Sequence, residues 1–185
     1  FEPYAGIGGG ARALEILGLA PEVHVVMEVS TECVEVVRRA WPEAICYGRV
    51  DCVTEKLLRA ELEKHPNVKE GLVVGGPPCQ PFSSNNNNRQ GFGDPRGTLF
   101  SGCVAYITEA DPEVFVLENV IGLTTMDGGI AFEYVLDTLR GIRGLGHYLV
   151  YHAKLNTADY SVPQNRPRVY IVGIRADVHS QVQIS

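Results

Sequence analysis

The sequence has no excess of basic residues, since 16 Lys and Arg stand against 22 Asp and Glu and give a net charge of −6. This balance excludes a protein that holds nucleic acid through an overall basic surface, although it permits a basic strip in one place. No apolar run approaches the roughly 20 residues that a membrane-spanning helix needs, and no signal peptide opens the chain. We therefore expect neither a membrane protein nor a secreted one.

Cysteine is scarce and irregularly spaced, with five residues at positions 33, 46, 52, 79 and 103 and no CxxC pair. An odd number without a disulfide framework predicts reduced thiols in an intracellular protein and argues against a structural metal site. The 20 glycines and 11 prolines fall below the low-complexity range. A chain of 185 residues that is 45% hydrophobic predicts one globular domain.

Short apolar runs alternate with amphipathic stretches along the chain. Strands are predicted at residues 23–27, 44–46, 72–74, 114–117, 148–155 and 168–174. Helices are predicted at residues 31–40, 54–64 (with Thr54 as N-cap), 99–109 and 130–140. This alternation predicts an α/β fold with a mostly parallel sheet flanked by helices. Ligands of such sheets bind at the carboxyl ends of the strands, so the segments after the strands carry the functional interest.

A glycine-rich turn, YAGIGGG, occupies residues 4–10 and precedes a helix that we expect to begin near Ala11. Such a turn lets the backbone approach a ligand, and it is compatible with a phosphate, with an adenosyl cofactor or with tight packing alone. Glu28 follows the next strand about 20 residues later, where an acid can accept both ribose hydroxyls of a nucleoside cofactor. Asp51 follows a third strand in the same way. The succession of glycine turn and two acids is more specific than any one of them.

The segment GGPPCQPFS at residues 75–83 follows a buried strand and brackets Cys79 with three prolines. Prolines fix the backbone, so the thiol is held in one place, which favours a nucleophile over a core cysteine or a redox sensor. The loop from residue 77 to about 97 contains the run Asn85–Asn88 and is expected to be exposed and mobile. Glu118 ends the next strand in LENV, and residues 160–175 carry three Arg and no acid.

Together these segments resemble the cytosine-C5 DNA methyltransferase family in order and in spacing. YAGIGGG is similar to the family's cofactor motif, GGPPCQPFS to its nucleophile motif, LENV to its glutamate motif and QNRPRVYIVG to its arginine motif. DPRGTLF, at residues 94–100, matches the segment between the nucleophile and glutamate motifs. The resemblance implies a Rossmann-like methyltransferase fold that uses S-adenosylmethionine to methylate a cytosine flipped out of double-stranded DNA. It implies the nucleus as location in a eukaryote and the cytoplasm or nucleoid in a bacterium.

The resemblance also implies roles for individual residues. Cys79 would add to C6 of the base, and Glu118 would hydrogen-bond N3 and the exocyclic amine. Arg166 and Arg168 would contact the base carbonyl and support the active site. The residues that match family contacts to the cofactor are Tyr4, Ala5, Gly6, Ile7, Gly8, Gly9, Glu28, Val29, Asp51, Cys52, Pro78 and Leu99. The expected substrate contacts are Gln80, Ser83, Asn119 and Gln164.

The sequence departs from the family pattern in four places. Only three residues precede Tyr4, Val29 stands where an aromatic residue often stacks on adenine, and the Asn run replaces part of the catalytic loop. The chain stops about ten residues after the arginine motif, so we expect residues 1–185 to be a partial catalytic domain without the target-recognition domain and the last two motifs. The alternatives that stay open are a tRNA cytosine-C5 methyltransferase of the same family and a non-catalytic module that has kept the fold.

Overall fold

The computed structural model describes residues 1–48, 60, 63–65, 71–78 and 97–179, and for residues 97–99 it describes the main chain alone. The strands and helices with described bounds are β1 (Glu2–Pro3), α1 (Gly9–Ile16), β2 (Val25–Met27), α2 (Thr31–Ala40), β3 (Ile45–Tyr47), β4 (Leu72–Gly75), α3 (Gly97–Ala110), β5 (Val114–Val120), α4 (Ile130–Arg140), β6 (Tyr148–Asn156), β7 (Pro167–Arg175) and α5 (Ala176–His179). Of the helix predicted at residues 54–64, only residues 60, 63 and 64 are described, and the predicted N-cap Thr54 lies outside them.

The sheet is mostly parallel. β2 pairs in parallel with β1 and β3, and β4 pairs in parallel with β5, while β7 runs antiparallel between β5 and β6. Phe1 joins the two halves, because its main-chain nitrogen donates to Leu72 O at 2.8 Å and its carbonyl accepts from Val74 N at 2.9 Å. Across the described strands the order is therefore β3-β2-β1-β4-β5-β7-β6. The predicted α/β fold with a mostly parallel sheet is confirmed.

The first strand is short, and its sequence explains why. β1 has two residues, and the second is Pro3, which has no N–H to donate to the neighbouring strand. Gly75 of β4 lies beside it, and a Cβ on Gly75 would stand 2.8 Å from the Pro3 carbonyl oxygen. A side chain at position 75 would push β1 and β4 apart. The close approach of these two strands matters because both lead directly into the candidate site.

The core lies between the sheet and the helices α3 and α4. Phe115 of β5, Ile107 of α3 and Leu139 of α4 are fully buried in one cluster. Gly173 of β7 leaves room for the Phe115 ring, which a Cβ at that position would overlap. Cys103 of α3 is also fully buried, and this burial raises the pKa of its thiol to about 12. Cys103 is therefore a core side chain and not a reactive thiol.

Candidate active site

The strand order reverses between β1 and β4, which have β2 and β3 on one side and β5, β7 and β6 on the other. In an open parallel sheet, such a reversal leaves a crevice outside the carboxyl ends of the two strands, where ligands bind. The part of the glycine turn that precedes α1, residues 4–8, directly follows the carboxyl end of β1. Gly76, Pro77 and Pro78 leave the carboxyl end of β4. The fold therefore brings the predicted cofactor motif and the start of the predicted nucleophile motif to one crevice.

The glycine turn needs glycine at two of its positions. Gly6 and Gly8 have φ angles of +54° and +86°, in the region that residues with a Cβ rarely adopt. Tyr4 has a φ of +58° at the start of the same turn and packs against the core. The Trp41 ring lies against Gly8, where a Cβ would overlap it. Helix α1 begins at Gly9 rather than near Ala11 as predicted, so Gly9 is the first helical residue.

Two carboxylates accept hydrogen bonds from main-chain amides in this turn and at the start of α1. Glu28 Oε2 accepts from Gly6 N at 2.8 Å, and Glu2 Oε1 accepts from Gly10 N at 2.6 Å and from Ala11 N at 3.2 Å. A phosphate bound at a helix N-terminus would need these amides and the positive end of the helix dipole. Because the protein's own carboxylates hold them, the geometry favours an adenosyl cofactor over a phosphate-binding turn.

Glu28 is fixed at the carboxyl end of β2. Its Oε1 accepts from Ser30 N at 2.8 Å, and the Ser30 hydroxyl in turn accepts from Cys33 N at 3.2 Å and caps α2. Each carboxylate oxygen keeps a second lone pair for a hydroxyl donor. Glu28 therefore lies beside Gly6 with its orientation set from both sides, which suits the predicted contact to ribose hydroxyls.

The other predicted cofactor residues differ in how the structure presents them. Ile7 and Val29 are 62% and 70% exposed, so both apolar side chains border open space next to the turn. Ala5 is anchored to β2, since its amide donates to Met27 O at 3.3 Å, and Pro78 is partly buried. Leu99 lies in α3, with its side chain outside the described atoms. Asp51 and Cys52 lie outside the described residues.

Glu118 and two arginines form the second part of the site. Glu118 lies near the carboxyl end of β5, and Arg168 lies at the start of the antiparallel neighbour β7, so both reach the same edge of the sheet. Arg168 Nε donates to Glu118 Oε1 at 2.8 Å, and Arg166 Nη2 lies 3.7 Å from the same oxygen. Glu118 is one-third exposed and Arg168 less so, while half of the Arg166 side chain faces solvent. Arg168 is thus placed to hold the carboxylate, and Arg166 to reach a ligand.

Asn119 ties the end of β4 to the end of β5. Its Nδ2 donates to Pro77 O at 2.9 Å, and its Oδ1 accepts from Val120 N at 2.9 Å. A Cβ on Gly76 would lie 3.5 Å from Glu118 Oε2. The chain that leads toward position 79 therefore runs directly beside Glu118. Cys79, Gln80 and Ser83 themselves lie outside the described residues.

A cleft opens at this junction, and the space within it, open solvent included, is about 340 Å³. Its lining includes Pro77, Pro78, Glu118, Asn119, Phe100 and Leu123. Apolar walls with a few converging polar groups are typical of ligand-binding sites.

The segment between β6 and β7 carries Gln164 and Arg166 and is held at its base by Asn156. Asn156 Oδ1 accepts from Arg166 N at 2.9 Å, and Asn156 Nδ2 donates to Asn165 Oδ1 at 2.9 Å. Thr157 Oγ1 adds a bond to Gln164 O. Gln164 is exposed, as a substrate contact would be.

Two residues of the site were missed by the sequence analysis. Glu2 caps α1 from eight and nine positions upstream, whereas a usual helix cap lies next to the helix that it serves. Asn156 acts on Arg166 across ten residues. The only sequence signals were an acid inside a strand and an Asn at the end of a strand. Neither indicates a role in the site until the folded structure shows which main-chain groups the side chain contacts.

Within the described parts of the chain, no group of three or more His, Cys, Asp or Glu side chains could hold a metal ion. No helix there is long and apolar enough to cross a membrane.

The model of one protein family, described as C-5 cytosine-specific DNA methylase, matches residues 1–185. The chain is 35% identical over 172 residues to the type II methyltransferase M.HgiCII of Herpetosiphon aurantiacus, a match that covers 93% of this chain and 36% of that protein. It is 34% identical over 177 residues to M.AquIA of Picosynechococcus sp., covering 93% of this chain and 70% of that protein. The chain thus spans about a third of the first relative.

Solved structures share the fold. A prophage-encoded protein of Escherichia coli, described as a DNA modification methyltransferase, superposes with a TM-score of 0.77 at 20% identity, covering 100% of this chain and 48% of that one. The Dnmt2 methyltransferase of S. pombe superposes with a TM-score of 0.67 at 19% identity, covering 95% of this chain and 48% of that one.

Proposed function

The chain belongs to the C-5 cytosine-specific DNA methylase family, and from this premise we propose that it transfers a methyl group from S-adenosylmethionine to C5 of cytosine in double-stranded DNA. Residues 1–185 are then catalytic-domain sequence. The observation that carries the proposal is the carboxylate of Glu118, held by Arg168 at 2.8 Å beside the chain that leads to Cys79. Pro78, the residue before the candidate nucleophile in sequence, lines the same cleft as this hydrogen-bonding acid.

The cofactor assignment is supported by the charges around the glycine turn. Glu28 accepts from the Gly6 amide in the turn, and Glu2 accepts from the Gly10 and Ala11 amides in the first turn of α1, so these amides offer no free anion site. S-adenosylmethionine suits this environment because it carries ribose hydroxyls, an ammonium and a sulfonium but no phosphate. Glu28 would accept the ribose hydroxyls, while Gly6, Gly8, Ile7, Val29 and Pro78 would border the cofactor. When bound, the cofactor supplies an electrophilic methyl group.

Cys79 is the proposed nucleophile. Cytosine C5 does not attack a methyl group unaided, so the thiolate adds to C6 and turns C5 into an enamine-like carbon. The C5–C6 double bond would open, a new S–C6 bond would form, and C5 would take the methyl group as the bond between that methyl and the sulfonium sulfur breaks, which leaves S-adenosylhomocysteine. A base then removes the C5 proton, the S–C6 bond breaks, and its electron pair returns to the sulfur as the double bond re-forms.

Glu118 and the arginines stabilise the base during this sequence. Glu118 would share a proton with N3 and accept from the exocyclic amine, so that electron density pushed into the ring by the thiolate is stabilised. Arg168 holds the Glu118 carboxylate, and the half-exposed Arg166 would reach the base carbonyl. Gln80, Ser83, Asn119 and Gln164 are the proposed substrate contacts. Because a duplex hides C6, the cytosine must first leave the base stack.

Transfer of labelled methyl from S-adenosylmethionine tests the proposal, with the product of the complete reading frame as enzyme. We expect label in 5-methylcytosine of duplex DNA and none in tRNA. Glu118→Gln should lower kcat by at least about 100-fold, because an amide stabilises the developing charge poorly. The matched control is Glu133→Gln, which removes an exposed acid of α4 and should leave kcat unchanged. Label in tRNA alone, or equal rates for the two variants, would contradict the proposal.

A further inference from the structure

Glu2 is a charged residue in an unusual place. The residue is only 5% exposed, and it is the one charged residue that is buried among those the structure describes. A buried carboxylate is costly unless hydrogen bonds and opposite charge compensate it. The hydrogen bonds that compensate the Glu2 charge come from amides in the first turn of α1 and from His24. Both partners lie next to the glycine turn.

The contacts of Glu2 fill the N-terminus of α1. Oε1 accepts from Gly10 N and Ala11 N, while Oε2 lies 2.7 Å from His24 Nε2. Gly10 makes room for this carboxylate, because a Cβ there would lie 2.5 Å from Glu2 Oε1. The carboxylate therefore occupies the place, and uses the donors, that a phosphate would take at a helix N-terminus.

His24 fixes the second oxygen. Its side chain is 10% exposed, and its ring meets the Trp41 indole edge to face at 5.7 Å. His24 Nδ1 is buried and has no hydrogen-bond partner among the residues that the structure describes, so in the neutral ring the proton belongs on Nε2, facing the carboxylate. Glu2 is thus held from two sides and has no freedom to move aside for a ligand.

We propose that Glu2 is a specificity-determining residue of the cofactor site, which closes the N-terminus of α1 to phosphate and reserves the glycine turn for a cofactor that bears positive charge. The inference rests on the proposed function, since it assumes that an adenosyl compound binds at this turn. Its cause is electrostatic. The carboxylate cancels the positive end of the α1 dipole, and Glu28 adds a second negative charge at Gly6, so a phosphate there meets repulsion and finds the Gly6, Gly10 and Ala11 amides already bonded.

Glu2→Gln separates this role from a merely structural one. The glutamine carbonyl oxygen can still accept from Gly10 N and Ala11 N, and its NH2 can donate to His24 Nε2 once the ring proton moves to Nδ1. The substitution therefore keeps these hydrogen bonds and removes the charge, and its one further cost is a ring proton on Nδ1, which has no partner among the described residues. The control Glu35→Gln removes the same charge from α2, where the side chain is 69% exposed.

Titration calorimetry of the wild-type chain and both variants with S-adenosylmethionine, adenosine and ADP measures the effect. In the wild type, ADP should bind more weakly than adenosine, and at least about 100-fold more weakly than S-adenosylmethionine. In Glu2→Gln, the ratio of the ADP and S-adenosylmethionine dissociation constants should fall at least about tenfold, while Glu35→Gln keeps the wild-type ratio.

Each outcome supports or overturns the role proposed for Glu2. Equal weakening of all three ligands in Glu2→Gln would make Glu2 a structural residue and overturn the inference, while the cofactor assignment would stand. If Glu2→Gln does not fold, the wild-type comparison decides, because tighter binding of ADP than of adenosine contradicts a closed N-terminus. A wild-type chain that binds neither adenosine nor S-adenosylmethionine would overturn the proposed cofactor site and this inference with it.

Discussion

The indole of Trp41, the C-terminal cap residue of α2, packs directly against the main chain of Gly8. Trp41 therefore supports the glycine turn. Trp41 Nε1 donates to Glu15 Oε1 at 2.9 Å, which fixes the indole against α1 as well. The shape of the turn is thus set by a side chain 33 positions away in sequence, and a change at Gly8 has a predictable result.

Gly8→Ala should destabilise the protein by about 2–3 kcal/mol, because the new methyl group overlaps Trp41 and alanine strains a φ of +86°. It should also weaken binding of S-adenosylmethionine. Gly9→Ala is the matched control for stability alone, since among the described residues a Cβ there meets nothing within 4 Å and the residue is helical. Urea denaturation of the two variants and calorimetry of Gly8→Ala check this. Equal losses of stability at both positions would mean that Trp41 does not support the turn.

Ser161→Gly should stabilise the protein by about 0.5–1 kcal/mol. Ser161 ends the 3-10 turn Thr157–Tyr160 with a φ of +62°, a conformation in which a Cβ costs energy and glycine does not. Ser161→Ala keeps the Cβ and should give no gain. The midpoint of urea unfolding measures both variants, and a glycine variant less stable than the wild type would rule out strain at this position.

Stability should fall in alkaline solution. Burial raises the pKa of the Cys103 thiol to about 12 and also raises the pKa of the phenols of Tyr106 and Tyr148. The folded state therefore holds these protons more tightly than the unfolded chain. The stability that Cys103 contributes is complete below about pH 8.5, where an unfolded thiol titrates, and is lost as the pH rises toward 12.

Urea unfolding at several pH values measures this loss, which for Cys103 should reach about 2 kcal/mol by pH 10. Cys103→Ala should flatten the pH dependence between about pH 8.5 and 10, before the tyrosines titrate. The same slope with and without Cys103 would show that its thiol does not titrate differently in the two states.

Elements with complete local signals were predictable. The helices predicted at residues 31–40 and 130–140 coincide with α2 and α4, because Ser30 caps the first and glycine precedes the second. The carboxyl-terminal positions of Glu28 and Glu118 also followed from the sequence, since each acid ends an apolar run. These signals lie within a few residues of the feature that they determine.

Features set by distant residues were not predictable. Helix α1 begins two residues before the predicted position, because the Glu2 carboxylate caps amides that no neighbouring side chain could reach. The predicted strand 23–27 shortens to β2 (Val25–Met27). The ion pair of Glu118 with Arg168 depends on the antiparallel pairing of β5 with β7, across 50 residues of sequence. Amphipathic patterns carry no information on such pairing.

A duplex with 5-fluorocytosine at the target tests the proposed covalent role of Cys79. Fluorine leaves no proton to remove from C5, so elimination of the thiol is blocked. We expect a denaturant-resistant adduct that forms only with S-adenosylmethionine, maps to the peptide of Cys79 and disappears in Cys79→Ser. The other cysteines, at positions 33, 46, 52 and 103, should be replaceable without losing it. An adduct on one of those, or near wild-type methyl transfer by Cys79→Ser, would rule out Cys79 as the nucleophile.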